Sequence, residues 1–439
     1  MNAVLIAVAV MLILSLIRVN VVLALVVGAI TGGLIGGLSI EETLKSFSDG
    51  LGAGANIALS YGLLGGFAVA ISKTGIPQLL VNGMLKIIKK DGGSDRAALG
   101  KVLIILLLLM ISIFSQNLIP IHIAFIPLLV PPILHVLNLL KIDRRLIASI
   151  LTFGLTVPYM ILPYGFGFLF HDLLAKQMKL AGLTIDMADI PKAMLIPVIG
   201  IVIGLVVAIF ISYRKPRTYE NLQIELSENV IEIKTRNLVF TVIALIGTLA
   251  VQIPTESMIA GAVTGITILY VTGALKWREA DDLINDGMKM MAFVGFVMIS
   301  ANGFAKVLQD TGHVQLLVEG SSEMLGDNKG LAALIMLVVG LIVTMGIGSS
   351  FATVPIIASI FVPLSLALGF STMAIIALVG TAAALGDAGS PASDSTLGPT
   401  AGLNADGQHN HIWDSCVPTF IHFSIPLLIF GWIAVMILN

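Results

Sequence analysis

Long apolar segments recur along the whole chain, and they constrain its fold more than any other feature of the sequence. A helix that crosses a bilayer needs roughly 20 apolar residues, and most of these segments approach that length. Backbone N–H and C=O groups inside a bilayer must be satisfied within the protein, which favours helices. The pattern predicts an all-α polytopic membrane protein. The candidate segments are 3–17, 19–38, 55–72, 99–117, 119–140, 144–168, 191–213, 237–252, 256–275, 290–309, 331–349, 352–370, 371–388 and 413–437.

The charge content excludes a water-soluble globular fold, because only 11% of the residues are charged and soluble domains carry about 25%. The net charge of −2, with no basic cluster interleaved with aromatic residues, argues against a nucleic-acid partner. The single cysteine, Cys416, excludes an internal disulfide framework. The N-terminal segment lacks a basic start and a small-residue cleavage site, so we expect a retained first helix. A multi-pass protein of the inner or plasma membrane, in contact with the lipid bilayer, is therefore expected.

Two parts of the chain resemble each other at a constant offset of 237 residues, which joins Lys73 to Asp310. The sequence TGIPQLLVNG after Lys73 is matched by TGHVQLLVEG after Asp310. Chance rarely aligns Asp-Gly, Thr-Gly and Gln at one offset, so we expect repeats over 1–213 and 237–439, joined by a polar linker over 214–236. The other matched positions are Asp49 and Asp286, Gly50 and Gly287, Gly28 and Gly265, Gly36 and Gly273, and Glu42 and Glu279.

The distribution of basic residues orients the two repeats. Basic residues concentrate in 86–101, 141–145, 214–236 and 276–278, and the positive-inside rule places these segments in the cytoplasm. Helix 19–38 then runs outward, whereas its counterpart in the second repeat runs inward. We therefore predict inverted-topology repeats, an arrangement typical of secondary transporters whose binding sites lie near the bilayer midplane.

The first pair of predicted helix breaks consists of short polar clusters between apolar stretches. Ser115, Gln116 and Asn117 form one cluster, and residues 349–353 form the other. Each unit is either two crossings or a re-entrant hairpin, and the topology does not separate these alternatives. Backbone groups at a hairpin tip are oriented to bind an ion or a carboxylate. The alternative role of these polar residues is ordinary helix capping.

One break of the second pair lies in segment 144–168. Pro158 and Pro163 each lack a backbone N–H, and Gly165 loosens the chain, so this segment cannot be one continuous helix. Its polar groups are backbone atoms and tyrosine hydroxyls such as that of Tyr159.

The matching break, in 386–396, is chemically richer because it contains Asp387 and Asp394 among several hydroxyl groups. Carboxylates at membrane depth are costly and usually functional. Hard oxygen ligands suit Na⁺, and a carboxylate that takes up a proton suits H⁺. Helix capping in a water-filled vestibule is the alternative. The residues predicted to hold the coupling cation are Asp387, Ser390, Ser393, Asp394, Ser395 and Thr396.

Four further candidates are weaker. His122, two residues after Pro120, would carry a proton if it faced a cavity, and a satisfied interior histidine is the alternative. Ser300 and Asn302 lie in an apolar helix and either add oxygen ligands or bond to a neighbouring helix. His409 and His411 lie in a predicted cytoplasmic loop, where their spacing gives only weak support to a metal site. The charged segments 40–50 and 277–290 are predicted to be interfacial arms.

The repeats, the GDAGSPASDST break and the following GLNADGQHNHIWD segment resemble the NhaC-like Na⁺/H⁺ antiporter family of the ion transporter superfamily. Within it, the chain is most similar to the YuiF-like branch of predicted histidine or amino-acid permeases. The resemblance covers essentially the whole chain and implies two hairpins, two broken helices, a homodimer and elevator-type motion. Taken with the polar clusters, it places the solute at Ser115, Gln116, Asn117, Pro158, Tyr159, Pro163, Gly165, Ser349, Ser350, Thr353, Gly389 and Ser390.

These observations predict a cation-coupled secondary transporter, driven by Na⁺ or H⁺, for a small organic solute. The resemblance suggests an amino acid such as histidine. Carboxylates occur at only one break of the second pair, whereas a dedicated antiporter is expected to have them at both, so Na⁺/H⁺ exchange without an organic substrate is the alternative. An enzyme is not expected, because no histidine lies near the serine-rich break in the sequence. No cofactor is expected beyond the coupling ion.

Overall fold

The computed structural model describes residues 2–75, 94–117, 122–220, 235–255, 257–313, 316 and 328–439. These residues are helical, with no β-strand among them. The last helix, α16, contains two π-helical turns, His411–Cys416 and Phe420–Ser424, and continues as Ile425–Leu438. The other helices are α1 (Ala3–Leu16), α2 (Val21–Ile35), α3 (Ile40–Ser72), α4 (Ser94–Asn117), α5 (His122–Leu139), α6 (Arg144–Ile161), α7 (Phe166–Leu180), α8 (Asp189–Val207), α9 (Thr235–Thr255), α10 (Met258–Val271), α11 (Ala280–Asp310), α12 (Lys329–Ile347), α13 (Ser350–Ala367), α14 (Thr372–Ala384) and α15 (Asp394–Leu403).

The length and composition of these helices fit a membrane protein. Among the described residues, six helices are long and apolar enough to cross a bilayer, and the bent pair of α6 and α7 adds a seventh. Several shorter apolar helices pack between them. The predicted all-α membrane fold is therefore confirmed. The inverted relation of the two repeats and the boundaries 1–213, 214–236 and 237–439 stay predictions.

The two predicted interfacial arms are not separate helices, because each continues into a long helix; their position at the membrane interface stays a prediction. α3 runs unbroken for 33 residues from Ile40, and α11 runs for 31 residues from Ala280. A capping box starts α3: Ser39 Oγ accepts from the Glu42 N–H at 3.2 Å, and the Glu42 carboxylate accepts from the Ser39 N–H at 2.8 Å. The first charged segment therefore lies within the candidate span Ile40–Ile71, whereas the candidate span in α11 begins only at Met291.

α3 and α11 pack antiparallel with their backbones in close approach. A Cβ at Gly54 would lie 2.5 Å from Ile299 Cα, and one at Gly65 would lie 2.6 Å from the Gly287 carbonyl oxygen. Small residues at such interfaces let membrane helices approach closely. The pair is clipped at one end, where Asp310 accepts from Ser46 Oγ at 2.6 Å and pairs with Lys306 Nζ at 2.5 Å.

Hydrogen bonds join segments that are distant in sequence at two places in the bundle. At one end, the Arg217 N–H donates to the Lys141 carbonyl at 3.1 Å, so the start of the predicted cytoplasmic linker lies beside the α5–α6 turn. At another, Lys329 Nζ donates to the Gly369 carbonyl at 2.6 Å. The first residue of α12 thus lies beside the end of α13, which is compatible with both two crossings and a re-entrant hairpin.

Candidate cation and solute site

The break between α14 and α15 lies in the buried interior of the protein, as the sequence predicts. α14 ends at Ala384, α15 begins at Asp394, and the residues between them are buried. Gly386 is needed there, because a Cβ at this position would overlap the backbone at Met345 of α12. A half-helix ends and another begins inside the bundle, so their unpaired carbonyl and N–H groups face the same region.

Asp387 lies in this break and is held by hydroxyl groups. Its side chain is 5% exposed. Ser393 Oγ donates to Asp387 Oδ1 at 2.7 Å, and Tyr159 Oη donates to Oδ2 at 2.9 Å. Ser395 Oγ approaches Oδ2 at 3.4 Å. No ion pair of Asp387 with a basic side chain occurs within the described ranges, so neutral donors hold this carboxylate.

The end of the α12–α13 unit joins the same cluster. Gly348 turns the chain with φ +73°, a left-handed conformation that suits glycine, and it packs against Ala392 of the break. Ser350 Oγ lies 2.9 Å from Tyr159 Oη. The tyrosine proton is directed to Asp387, so Ser350 donates to Tyr159. Residues from two predicted breaks and one predicted hairpin tip therefore meet.

Ser350 is the one residue of its cluster that reaches Asp387 through Tyr159. Ser349 caps α13 by accepting from the Ala352 N–H, and Thr353 Oγ1 donates to the Ser349 carbonyl at 2.6 Å. These two contacts are the helix capping that the sequence left as an alternative.

The α6–α7 break exists, but it lies later than Pro158 suggests. Pro158 is inside α6, and its carbonyl accepts from the Leu162 N–H at 2.8 Å. The chain leaves the helix at residues 162–165, and α7 continues at an angle of 49°. Pro163 and Gly165 are exposed, whereas Tyr159 is 1% exposed and reaches the cluster.

Two of the remaining predicted ion ligands, Ser390 and Thr396, bond to backbone carbonyls. Ser390 Oγ donates to the Met345 carbonyl at 2.9 Å, and Thr396 Oγ1 donates to the Ser390 carbonyl at 2.7 Å, so both brace the break. Asp394 opens α15 and is half-buried. Gly389 lies against Phe420 of α16.

The first polar cluster is only partly described. Ser115 Oγ donates to the Ser112 carbonyl of its own helix at 3.0 Å. The side chains of Gln116 and Asn117 lie outside the described residues, as does the side chain of His122. Ser300 and Asn302 bond to the carbonyls of Phe296 and Met298 in their own helix, which uses the Ser300 hydroxyl proton and one of the two Asn302 amide hydrogens.

The sequence did not reveal an aromatic cluster that surrounds Tyr159. Its ring centroid lies 5.0 Å from that of Phe170 and 6.1 Å from that of Phe166 on α7. Phe351, next to Ser350, lies 4.7 Å from Phe166 and 5.9 Å from Phe170. The sequence signal that could have revealed this cluster is position, since Phe166 and Phe351 each adjoin a predicted site residue.

The sequence also did not reveal that a second buried carboxylate, Asp406, contacts Arg144. Arg144, at the start of α6, binds both its oxygens at 2.6 and 2.5 Å, and the Arg144 and Asp406 side chains are 0% and 2% exposed. Burial alone would raise the pKa of Asp406, but the hydrogen bonds and charge of Arg144 lower it. Tyr219 of the linker covers the guanidinium at 4.4 Å. We call Arg144, Asp406 and Tyr219 the clasp.

The Asp387 cluster offers oxygen ligands to a hard cation. A hydroxyl that donates to a carboxylate can rotate and present a lone pair to a bound ion instead. Among the described residues, no group of three or more His, Cys, Asp and Glu side chains lies close enough to hold a metal ion. The weak metal hypothesis at His409 and His411 therefore finds no support within the described segments.

Comparisons with known proteins decide the family. Residues 150–432 match the family described as "Na+/H+ antiporter family", and residues 2–88 match the family described as "Na+-H+ antiporter family". The chain belongs to the Na⁺/H⁺ antiporter family. The resemblance found in the sequence is thereby confirmed, and this multi-pass membrane protein belongs to a family of transporters rather than enzymes.

Relatives within this family match the whole chain. A Bacillus subtilis (strain 168) protein named "Putative amino acid transporter YuiF" is 55% identical over 100% of both chains. A membrane protein of Vibrio parahaemolyticus is also 55% identical over 100% of both chains. Among solved structures, the YdaH transporter of Alcanivorax borkumensis gives a TM-score of 0.42 at 13% identity, over 91% of this chain and 88% of that chain.

Proposed function

We propose that this protein is a Na⁺-coupled or H⁺-coupled transporter of a small organic solute, with Asp387 as the coupling-ion site. The observation that carries the proposal is a buried carboxylate held by three hydroxyls in a broken helix. Removing a carboxylate from water without a compensating cation is costly. A monovalent cation supplied by the transport cycle compensates the charge, and Ser393, Ser395 and Tyr159 supply further oxygens.

The solute is an amino acid in this proposal, with histidine as the first candidate. Two ends of half-helices face the break, since α14 ends at Ala384 and α15 begins at Asp394. A helix C-terminus attracts a cationic group and a helix N-terminus attracts a carboxylate, so this pair of ends suits a zwitterion. The name of the Bacillus subtilis relative supports the same class of solute.

The inner or plasma membrane location and the homodimer also stay proposals. Crosslinking in native membranes tests the dimer.

Na⁺/H⁺ exchange without an organic solute is the second candidate. The descriptions of both matching families favour it. The same carboxylate would then bind Na⁺ and H⁺ alternately, because both ions compete for Asp387 Oδ1 and Oδ2.

Purified protein in liposomes separates the two candidates. An inward Na⁺ gradient is applied, uptake of labelled amino acids is measured, and internal pH is followed in parallel. Saturable Na⁺- or H⁺-dependent uptake supports the proposal. Na⁺-driven proton movement with no uptake of any amino acid rejects it in favour of exchange.

Two substitutions test the site itself. Asp387→Asn and Asp394→Asn should each change the dependence on the cation, and the Asp387 variant should lose it. The control is Asp172→Asn, because Asp172 forms an exposed pair with Lys176 in α7, at 2.6 Å. Unchanged cation dependence in both site variants would reject the assignment.

A further inference from the structure

A chain of buried polar groups links the loop that follows α15 to the Asp387 break. His409 Nε2 lies 2.8 Å from Ser415 Oγ, and Ser415 Oγ lies 2.8 Å from Thr400 Oγ1. Thr400 Oγ1 lies 2.8 Å from His411 Nδ1, and His411 Nε2 lies 2.9 Å from the Pro391 carbonyl. All of these side chains are buried. This series of hydrogen-bonded groups ends at the backbone of the break, at the Pro391 carbonyl.

The last contact determines which nitrogen of His411 carries a proton. A carbonyl oxygen only accepts, so the Nε2 of His411 must donate to Pro391. In the neutral ring Nδ1 then carries no proton, and the Thr400 hydroxyl beside it also lies 2.8 Å from the Thr396 carbonyl. Burial lowers the pKa of His409 to about 3, so that ring is neutral near pH 7. The contacts therefore select one tautomer of His411.

The carbonyl that His411 holds belongs to the loop that shapes the cation site. Pro391 lies between Asp387 and Ser393, whose hydroxyl donates to Asp387 Oδ1 at 2.7 Å. The neighbouring Ser390 carbonyl accepts from Thr396. Each of these contacts restricts the loop, and fixing Pro391 restricts where the Ser393 hydroxyl sits relative to the carboxylate.

We propose that His411 is a positioning residue for the Asp387 cation site, acting through the Pro391 carbonyl, which also fixes its tautomer. This inference rests on the proposed function of Asp387. The histidine does not contact the carboxylate. Without its hydrogen bond the loop samples other conformations, and Ser393 is less often placed to ligate the ion. Cation affinity falls, while the maximal rate at saturating cation changes less.

The test compares substitutions at His411 in the liposome assay. The side-chain amide nitrogen of Gln reaches the place of Nε2 and keeps the donor to Pro391, whereas Asn is too short. His411→Asn should raise the half-saturating Na⁺ concentration about three- to tenfold, as the loss of one neutral hydrogen bond would. His411→Gln should stay within about twofold. Thr400→Val removes the hydroxyl that contacts Nδ1 with little change of shape and should give a smaller shift than His411→Asn, which tests the inference if His411→Asn does not fold.

His422 provides the matched control, because it is a buried histidine of the same helix away from the break. Its Nδ1 lies 2.7 Å from the Pro418 carbonyl and its Nε2 lies 2.8 Å from Ser212 Oγ. His422→Asn should leave the half-saturating Na⁺ concentration unchanged. Equal shifts at His411 and His422, or a His411→Gln variant as weak as His411→Asn, would overturn the inference.

The outcome for Asp387 separates this inference from the proposed function. If Asp387→Asn keeps the cation dependence, the proposed function fails and this inference fails with it. If Asp387→Asn loses the dependence while neither His411→Asn nor Thr400→Val shifts the half-saturating concentration, only the positioning role fails.

Discussion

Asp387 and Asp406 are both buried carboxylates near α15, but they are compensated in opposite ways. Asp406 faces the guanidinium of Arg144, which binds both its oxygens. Asp387 receives hydrogen bonds from the hydroxyls of Ser393, Tyr159 and Ser395. The first charge is neutralised by the protein itself. In the proposed function the second charge is compensated by the coupling ion, and this would distinguish the transport site from a structural carboxylate.

The largest expected effect is on stability, at the clasp. Asp406→Asn leaves Arg144 buried and without its counter-charge, which should cost about 3–5 kcal/mol. Thermal unfolding in detergent, followed by tryptophan fluorescence, measures the loss. The control is Asp189→Asn, whose exposed pair with Lys192 should contribute about 0–1 kcal/mol. Equal melting temperatures for Asp406→Asn and the wild type would contradict the comparison.

A smaller effect is expected at Tyr159, on transport rather than stability. Tyr159→Phe keeps the ring in the aromatic cluster and removes the donor to Asp387. In the proposed site Tyr159 Oη supplies an oxygen to the bound cation, and losing this ligand should raise the half-saturating cation concentration about tenfold, the equivalent of about 1.4 kcal/mol. Tyr164→Phe is the control, since that side chain is 77% exposed. The comparison weakens if both tyrosine variants bind the cation equally well.

The ion pair of Asp406 should also contribute to the pH dependence of stability. The folded pKa of Asp406 is lowered, so its stabilising contribution is present above the unfolded carboxyl pKa of about 3.9. That contribution is lost as the pH falls through the lower folded value. Unfolding of the wild type should therefore become easier between about pH 5 and the acid limit, and Asp406→Asn should lack this component. An identical acid dependence in the variant and the wild type would show that Arg144 does not hold a charged partner.

The smallest effect is expected for the stability of Asp387→Asn. The amide keeps an acceptor, and the surrounding hydroxyls can rotate to accept from its NH₂ group. Removing an uncompensated buried charge also offsets any lost hydrogen bond. The melting temperature should change by the equivalent of less than about 1 kcal/mol. Destabilisation as large as that of Asp406→Asn would mean that Asp387 is structural too.

The sequence predicted the positions of the helix breaks better than the contacts made there. Proline and glycine interrupt a helix through local backbone chemistry, so the breaks near Pro163 and at 386–396 could be located. The break lies a few residues later than Pro158 suggests, because a proline removes one backbone donor without necessarily ending a membrane helix. The predicted carboxylate, Asp387, does lie in the buried break.

The contacts themselves depend on long-range packing, which local patterns do not encode. Tyr159 and Asp387 are 228 residues apart, and Arg144 and Asp406 are 262 residues apart. Their pairing depends on how α6 lies against α15, and a single sequence does not contain that information. The same reason hid the aromatic cluster around Tyr159. Ser349 and Thr353 look like Ser350 in sequence, yet only Ser350 points to the tyrosine.

The close packing of α3 and α11 limits how these two helices can move against each other. A shift of register by one residue rotates the helix face by about 100° and would turn a side chain into the partner's backbone, where Gly54 and Gly65 now leave only enough room for hydrogen. The two helices therefore behave as one unit, fixed in spacing and register. In the proposed transport cycle, alternating access would therefore come from movement between this helix pair and the rest of the bundle.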